Sequence, residues 1–286
     1  MKGNKLTCAP LCLFLCWMLP VGSKKISFIV SLPEANSGIQ MSMVEDAVDD
    51  MYFGCNETMA KMVKDKYFKK ENKGIFKDVW KKAESCANHN LKNKDTGDEA
   101  LTKEHMQAIC VYTSGYKGFY QMFNDAVRTN RTVYGTSFPF HSLQFWLTSA
   151  VKILSENNNC HITYRRSKAV FTGNVNQMIR FGSFTSSSKD PELSQFGLKT
   201  CFKITTCSGA YLKKYPHLGK KEEADEKEVL IPPYEIFKIT GKKKDASVKG
   251  LEDCEVVYIL QSVGLQSNLN CMLCTKLKTK GFFNFK

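Results

Sequence analysis

Near residue 158 the period of the apolar pattern changes, and that change constrains the fold more than any other feature of the chain. Before it, helical spacing prevails. Leu143, Trp146, Leu147, Ala150, Val151 and Leu154 fall at i, i+3, i+4, i+7, i+8 and i+11, which is one face of an amphipathic helix. Weaker stretches of the same kind predict helices over about 43–53, 56–70, 74–88, 102–114 and 118–128. Asn157-Asn158-Asn159 ends the pattern. After it the residues alternate. His161–Arg165, Cys201–Thr205 and Tyr234–Ile239 read as half-buried strands, and Glu255–Leu260 as a more buried one. Helices first and strands later predict an α+β fold with the helices on one side of the sheets. With no internal repeat and no long linker, one domain is the simplest division.

The first residues predict a secretory signal. Lys2 and Lys5 supply positive charge, residues 6–19 a short apolar stretch, and Pro20-Val21-Gly22-Ser23 a small-residue cleavage site. A cut after Ser23 leaves residues 24–286 as the mature chain. It removes two lysines and no acids, so the net charge falls from +13 to +11. Such a charge favours solubility and attraction to anionic partners. No zinc-finger or RNP-like module points to nucleic acid, and the chain ends without the long apolar tail that a GPI signal needs. A soluble secreted protein is expected.

The cysteines agree with export. Three of the twelve lie in the signal, leaving nine, an odd number, for an oxidising compartment. Cys110 sits in an apolar helical stretch and is expected to be a buried, inert thiol. Cys271-Met272-Leu273-Cys274 has zinc-ligand spacing, but without a second pair or clustered His no metal is expected and disulfide use is preferred. Asn56-Glu57-Thr58 and Asn130-Arg131-Thr132 are glycosylation acceptors.

The chemistry concentrates in the strand half. Glu226-Lys227-Glu228 precedes the apolar run Val229–Pro233. On a strand, residues i and i+2 share a face, with backbones about 7 Å apart. Paired carboxylates there suit glycosyl transfer, one stabilising an oxocarbenium-like centre and the other managing the nucleophile. Alone, Glu-x-Glu is more often a solvated strand face. Two further elements raise its weight: Tyr164-Arg165 on an alternating strand, and Arg180–Ser188, read as a strand that runs into a hydroxyl cluster. The charged segment 213–227, with Pro216 and Gly219, is expected to be a mobile loop leading into the carboxylates.

Taken together, Arg165, Phe184-Thr185-Ser186 and Glu226-Lys227-Glu228 resemble the signature of the vertebrate arginine-specific mono-ADP-ribosyltransferases, ecto-enzymes that share a catalytic fold with several bacterial toxins. Asp49–Cys55, Phe140-His141 through Leu154, Arg180-Phe181-Gly182, Thr206–Gly209 and Glu228–Pro232 resemble further family segments, so the likeness spans about residues 45–275. It implies a helical N-terminal half packed on a mainly antiparallel two-sheet β core. It implies NAD+ as co-substrate, with no metal. Glu228 matches the catalytic glutamate, and Glu226 the glutamate that orients an acceptor guanidinium. Ser186 matches the serine that positions Glu228, and Arg165 the arginine that holds the cofactor end of the cleft. Tyr112 and Ser183 match positions that touch the dinucleotide. The resemblance also implies disulfides Cys55–Cys271 and Cys160–Cys207; Cys201–Cys254 is a further guess, and Cys86 and Cys274 stay unassigned.

This chain departs from the family in three places. Arg166 stands where relatives carry Gly, Ser183 replaces a frequent Gln, and the segment before Glu226 is unusually charged. The implied activity is transfer of ADP-ribose from NAD+ to arginine side chains of proteins or to small guanidino compounds, with nicotinamide released. The alternatives are NAD+ glycohydrolysis in the same cleft and a catalytically silent NAD-binding protein. Acceptor identity, the balance of transfer and hydrolysis, oligomeric state and cell-surface retention are not encoded legibly.

Overall fold

The protein is described here by a computed structural model covering residues 38–156, 159–217, 226–244 and 248–275. The signal expected over residues 1–23, residues 218–225 of the expected mobile loop and the lysine-rich tail fall outside the described residues. The helical half begins with α1 (Asn56–Met62), which passes through a π-helical stretch, Val63–Tyr67, into α2 (Phe68–Glu71). There follow α3 (Gly74–Lys82), α4 (Glu84–Lys92), α5 (Lys103–Thr113), α6 (Phe119–Thr129) and α7 (His141–Ser155). The strands are β1 (Ile39–Gln40), β2 (His161–Ser167), β3 (Phe171–Thr172), β4 (Met178–Ile179), β5 (Thr185–Ser188), β6 (Thr200–Thr206), β7 (Ala210–Tyr211), β8 (Glu228–Ile231), β9 (Glu235–Lys243) and β10 (Val257–Leu265).

The fold is α+β, helices first. β1 pairs β3 in a small parallel sheet, and the other eight strands run in the order β4-β9-β10-β6-β2-β5-β8-β7. Every neighbour in the large sheet is antiparallel except β6 and β10. That sheet is nearly two: β2 joins β5 through one residue pair, Tyr164 with Ser188. The split matches the cores. Ile204, Phe237, Ile239 and Leu260 pack together on the β4-to-β2 side, while Phe184, Ala210 and Leu230 join the helical core with Leu143, Leu147 and Val151 of α7.

Two buried ionic clusters hold these parts in register. The Glu71 carboxylate accepts the first backbone N–H groups of α7, from His141 at 3.0 Å and Ser142 at 2.9 Å, and contacts His141 Nδ1 at 2.7 Å. An anion at a helix N-terminus satisfies donors the helix leaves open. Asp49 meets Arg180 at 2.6 Å with neither side chain exposed, and accepts N–H groups from Asn268 and Leu269. Its neighbour Asp50 accepts from Tyr52 N–H, Tyr134 hydroxyl and Cys271 N–H, each at 2.9 Å.

These contacts overturn the helix expected over 43–53. That segment is irregular, with left-handed backbone at Val44 (φ 46°) and Tyr52 (φ 55°). Asp50 bonds its own local backbone instead of allowing a helix. The other expected helices form, the 74–88 stretch as two helices divided at Ala83, as do the strands expected near 161, 201, 234 and 255; of the strand expected over 180–188, only Thr185–Ser188 forms.

Four disulfides close among the described residues: Cys55–Cys271, Cys86–Cys110, Cys160–Cys207 and Cys201–Cys254. The expected inert thiol at Cys110 is therefore corrected. It lies on α5 directly across from Cys86 of α4, and packing of these two helices brings together residues that no sequence period relates. Residues 213–217 correct the expectation of a mobile loop in part. The Tyr215 hydroxyl and Lys213 Nζ both meet Asp98 at 2.6 Å, and His217 N–H donates to Thr113 at 2.7 Å.

Candidate active site

A cavity of about 700 Å³ opens where the weak β2–β5 junction faces α5 and α6. Arg165, Ser186, Glu226, Glu228 and Tyr112 all line it. The strand register explains part of this convergence. Ser188 stands opposite Glu228 and Ser186 opposite Leu230, so Ser186 is the diagonal neighbour of Glu228 on one sheet face. Arg165 reaches across the junction from β2, its Nη1 donating to the Ser186 carbonyl at 2.7 Å.

The glutamates reach the cavity differently from the strand argument. β8 starts at Glu228, and Lys227 is left-handed at φ 45°. Glu226 therefore enters from a turn, not from strand alternation. A non-glycine residue at positive φ is uncommon and costs about 1–3 kcal/mol. The Ser188 hydroxyl donates to the Glu226 carbonyl and anchors that turn.

The electrostatics single out Glu228. Burial pushes its carboxyl up to about 7, a hydrogen bond from Ser186 opposes that rise, the charge of Glu226 adds to it, and Arg165 opposes it. Glu226 itself is exposed, while Glu228 is half-buried. Burial also lowers the guanidinium of Arg165. Tyr112 is buried; its hydroxyl donates to the Phe184 carbonyl at 3.0 Å and accepts from Asn124 Nδ2 at 3.1 Å. Burial pushes that hydroxyl up to about 12, so it remains a neutral donor.

Two departures from the family pattern resolve differently. Arg166, one residue beyond Arg165 on β2, also lines the cavity, but its head is tied down away from the glutamates. Its Nη1 pairs with Asp253 at 2.9 and 3.0 Å, its Nη2 with the Gly250 carbonyl at 2.9 Å and its Nε with the Pro191 carbonyl at 2.7 Å. It does not crowd the glutamates. Ser183 does not line the cavity. It is buried behind it, its hydroxyl accepting from Arg128 Nη2 at 2.8 Å.

Sequence reasoning missed Tyr120, Asn124, Gln195 and Phe196, which also line the cavity. Tyr120 and Asn124 stand one turn apart on α6, and that polar i, i+4 pair on an amphipathic helix was the available signal. Nothing in the sequence placed Phe196, which lies on a short 3₁₀ turn.

These residues fit a pyridine dinucleotide. The volume falls within the range of cofactor sites. The lining offers aromatic rings for flat groups, the Arg165 guanidinium for a pyrophosphate, and hydroxyls and amides for riboses. Among the described residues no cluster of His, Cys, Asp and Glu could hold a metal ion.

The family model for NAD:arginine ADP-ribosyltransferases matches residues 41–252. The chain belongs to this family. Ecto-ADP-ribosyltransferase 5 of Mus musculus is 33% identical over 226 residues, spanning 73% of this chain and 70% of that protein. The erythroblast NAD(P)(+)–arginine ADP-ribosyltransferase of Gallus gallus is 28% identical over 249 residues, spanning 85% and 78%. The mono-ADP-ribosyltransferase ART2.2, solved as a mutant in complex with NAD, superposes with a TM-score of 0.67 at 27% identity, covering 82% of this chain and 99% of that one. An ADP-ribosyltransferase is thus the enzyme class, and the cavity described above lies within the matched span.

Proposed function

We propose that this ADP-ribosyltransferase uses NAD+ as co-substrate, transfers ADP-ribose to arginine side chains, releases nicotinamide, and acts outside the cell. The carrying observation is the half-buried Glu228 carboxyl, hydrogen-bonded by Ser186, beside Glu226 and within reach of Arg165's charge.

Glu228 stabilises the positive charge that develops at the ribose C1′ as the bond to nicotinamide breaks. Fixed negative charge in a dry cleft lowers such a barrier more than it would in water. Ser186 holds Glu228 in position, and Arg165 and Tyr112 hold the dinucleotide. Glu226, exposed at the mouth, orients the acceptor guanidinium and takes the proton released when its nitrogen bonds C1′. A guanidinium is almost always protonated, so attack needs an adjacent carboxylate. The charged segment ahead of Glu226 shapes acceptor choice.

Support for an extracellular setting comes from four disulfides, the ecto-enzyme names of relatives, and the signal expected over residues 1–23. No helix of the described residues is long and apolar enough to cross a membrane. Of the two glycosylation acceptors, Asn56 is exposed at the start of α1 and Asn130 partly exposed at the end of α6.

The test is incubation of purified protein with NAD+ and agmatine, a small guanidino acceptor. Nicotinamide release matched by an agmatine–ADP-ribose mass supports transfer. Nicotinamide release with free ADP-ribose alone assigns the cleft to glycohydrolysis. NAD+ binding with no release makes the protein a silent relative.

A further inference from the structure

On the helical half, away from the cleft, lies a second hollow of about 540 Å³. Its floor is aromatic. Trp80 and Trp146 stack with centroids 4.9 Å apart, and Phe68 packs edge-on against Trp146 at 5.1 Å. Both indoles are mostly buried, 8% and 9% exposed, and what remains open lines the hollow. Lys64, Lys77 and Lys81 stand on the rim. A fourth rim lysine, Lys103, is held by Glu84 at 2.8 Å, and the other acid on the lining, Glu104, accepts from the Thr102 hydroxyl at 2.9 Å. Asn72 also lines the hollow, and its Oδ1 is buried with no hydrogen-bond partner.

The surroundings are strongly basic. Residues 61–82 carry nine lysines against Asp65, Glu71 and Asp78, and Glu71 is committed to the start of α7. All nine lysines are exposed. None forms an ion pair with another described residue. Helix-core packing explains the hidden faces of the two indoles. It does not explain why indole edges stay open beside three unpaired lysines, or an acceptor buried without a donor, which usually costs about 1–3 kcal/mol.

We propose that this hollow binds a sulfated oligosaccharide. The sulfates meet Lys64, Lys77 and Lys81, one sugar ring covers the open edges of Trp80 and Trp146, and the Asn72 amide turns outward so that its Oδ1 accepts from a sugar hydroxyl. The charge complementarity is direct. The buried acceptor asks for a hydroxyl-type donor at the aromatic floor. A concave floor does not suit a flat bilayer. Four disulfides set the protein in an oxidising compartment, where sulfated glycans are abundant polyanions. The hollow shares no residue with the catalytic cavity, so this inference stands apart from the proposed activity.

The chain's tryptophans are Trp17, Trp80 and Trp146. A full chain carrying Trp17→Phe therefore fluoresces from this hollow alone, whether or not residues 1–23 are retained. Titration with a heparin-derived hexasaccharide is expected to change that fluorescence saturably, with affinity falling as salt rises. The triple variant Lys64→Ala, Lys77→Ala, Lys81→Ala should bind about tenfold more weakly. Asn72→Ala should bind about threefold more weakly, and a desulfated hexasaccharide should not compete. NAD+ turnover should be the same in all variants. The inference is overturned by hexasaccharide binding that leaves the fluorescence unchanged, or that survives the triple variant. It is equally overturned if phosphatidylserine vesicles or an oligodeoxynucleotide bind more tightly with the same fluorescence change.

Discussion

Two regions of this protein are built from the same parts, a pair of acids and an arginine, and behave in opposite ways. In the terminal clamp, Asp49 and Asp50 meet Arg180 and a set of backbone and tyrosine donors, and nearly every oxygen is occupied. In the cleft, Glu226 and Glu228 stand near Arg165, but the arginine donates to a main-chain carbonyl and a cavity remains before the acids. Burial raises a carboxyl in each region, Asp50 to about 6 and Glu228 to about 7. What separates them is the open space before the second pair. Where the fold packs backbone and side chains around the acids, they give structure; where it leaves a cavity before them, they face a substrate.

Breaking the clamp should produce the largest effect. Arg180→Met leaves Asp49 buried without its cation, and a loss of about 3–5 kcal/mol is expected in chemical denaturation. Undiminished stability would mean the backbone donors suffice. In the cleft, Glu228→Gln should fold normally, even a few degrees more stable because a desolvated acid is removed. Nicotinamide release from NAD+ should nevertheless fall about a hundredfold or more, measured at saturating NAD+.

A finer cut separates the two glutamates. Glu226→Gln should lower transfer to agmatine by about ten- to a hundredfold. Hydrolysis of NAD+ should stay within about twofold of wild type, since Glu226 is exposed at the mouth whereas Glu228 is half-buried. Equal losses in both reactions would show that the pair works as one unit. The smallest effect is the pH dependence. As pH falls through about 7, Glu228 gains a proton and loses the charge that stabilises the developing cation. Hydrolysis should fall toward tenfold per pH unit on the acid side, and Glu228→Gln should remove that limb. Stability should move the other way. Glu228's folded value lies above the ordinary carboxyl value, so between the two the folded state holds more protons, and stability declines as pH rises across that window.

Much of the fold was legible because it is local. The change of period near residue 158 marks the turn from helices to strands, and α7 lies where Leu143 to Leu154 repeat. The failure over 43–53 has a tertiary cause: Asp49 and Asp50 are drawn to partners around residues 180 and 268–271. The site was legible as residue types, and five of its members line one cavity. Its geometry was not, because Glu226 arrives by a left-handed Lys227 that the expected strand alternation does not contain. Ser183 matched a motif position yet lies behind the wall, bonded to Arg128.

By itself, the sequence determined the α+β order, the supply of cysteines and the acid, arginine and hydroxyl groups available for chemistry. Only the tertiary structure decided that Cys110 pairs with Cys86, that Arg166 turns to Asp253 while Arg165 faces the glutamates, and which acid pair lines a cavity. The reason is physical. Periodicity is set by the geometry of neighbouring residues, whereas the state of a polar group depends on donors, acceptors and solvent that the folded chain brings from far along its length.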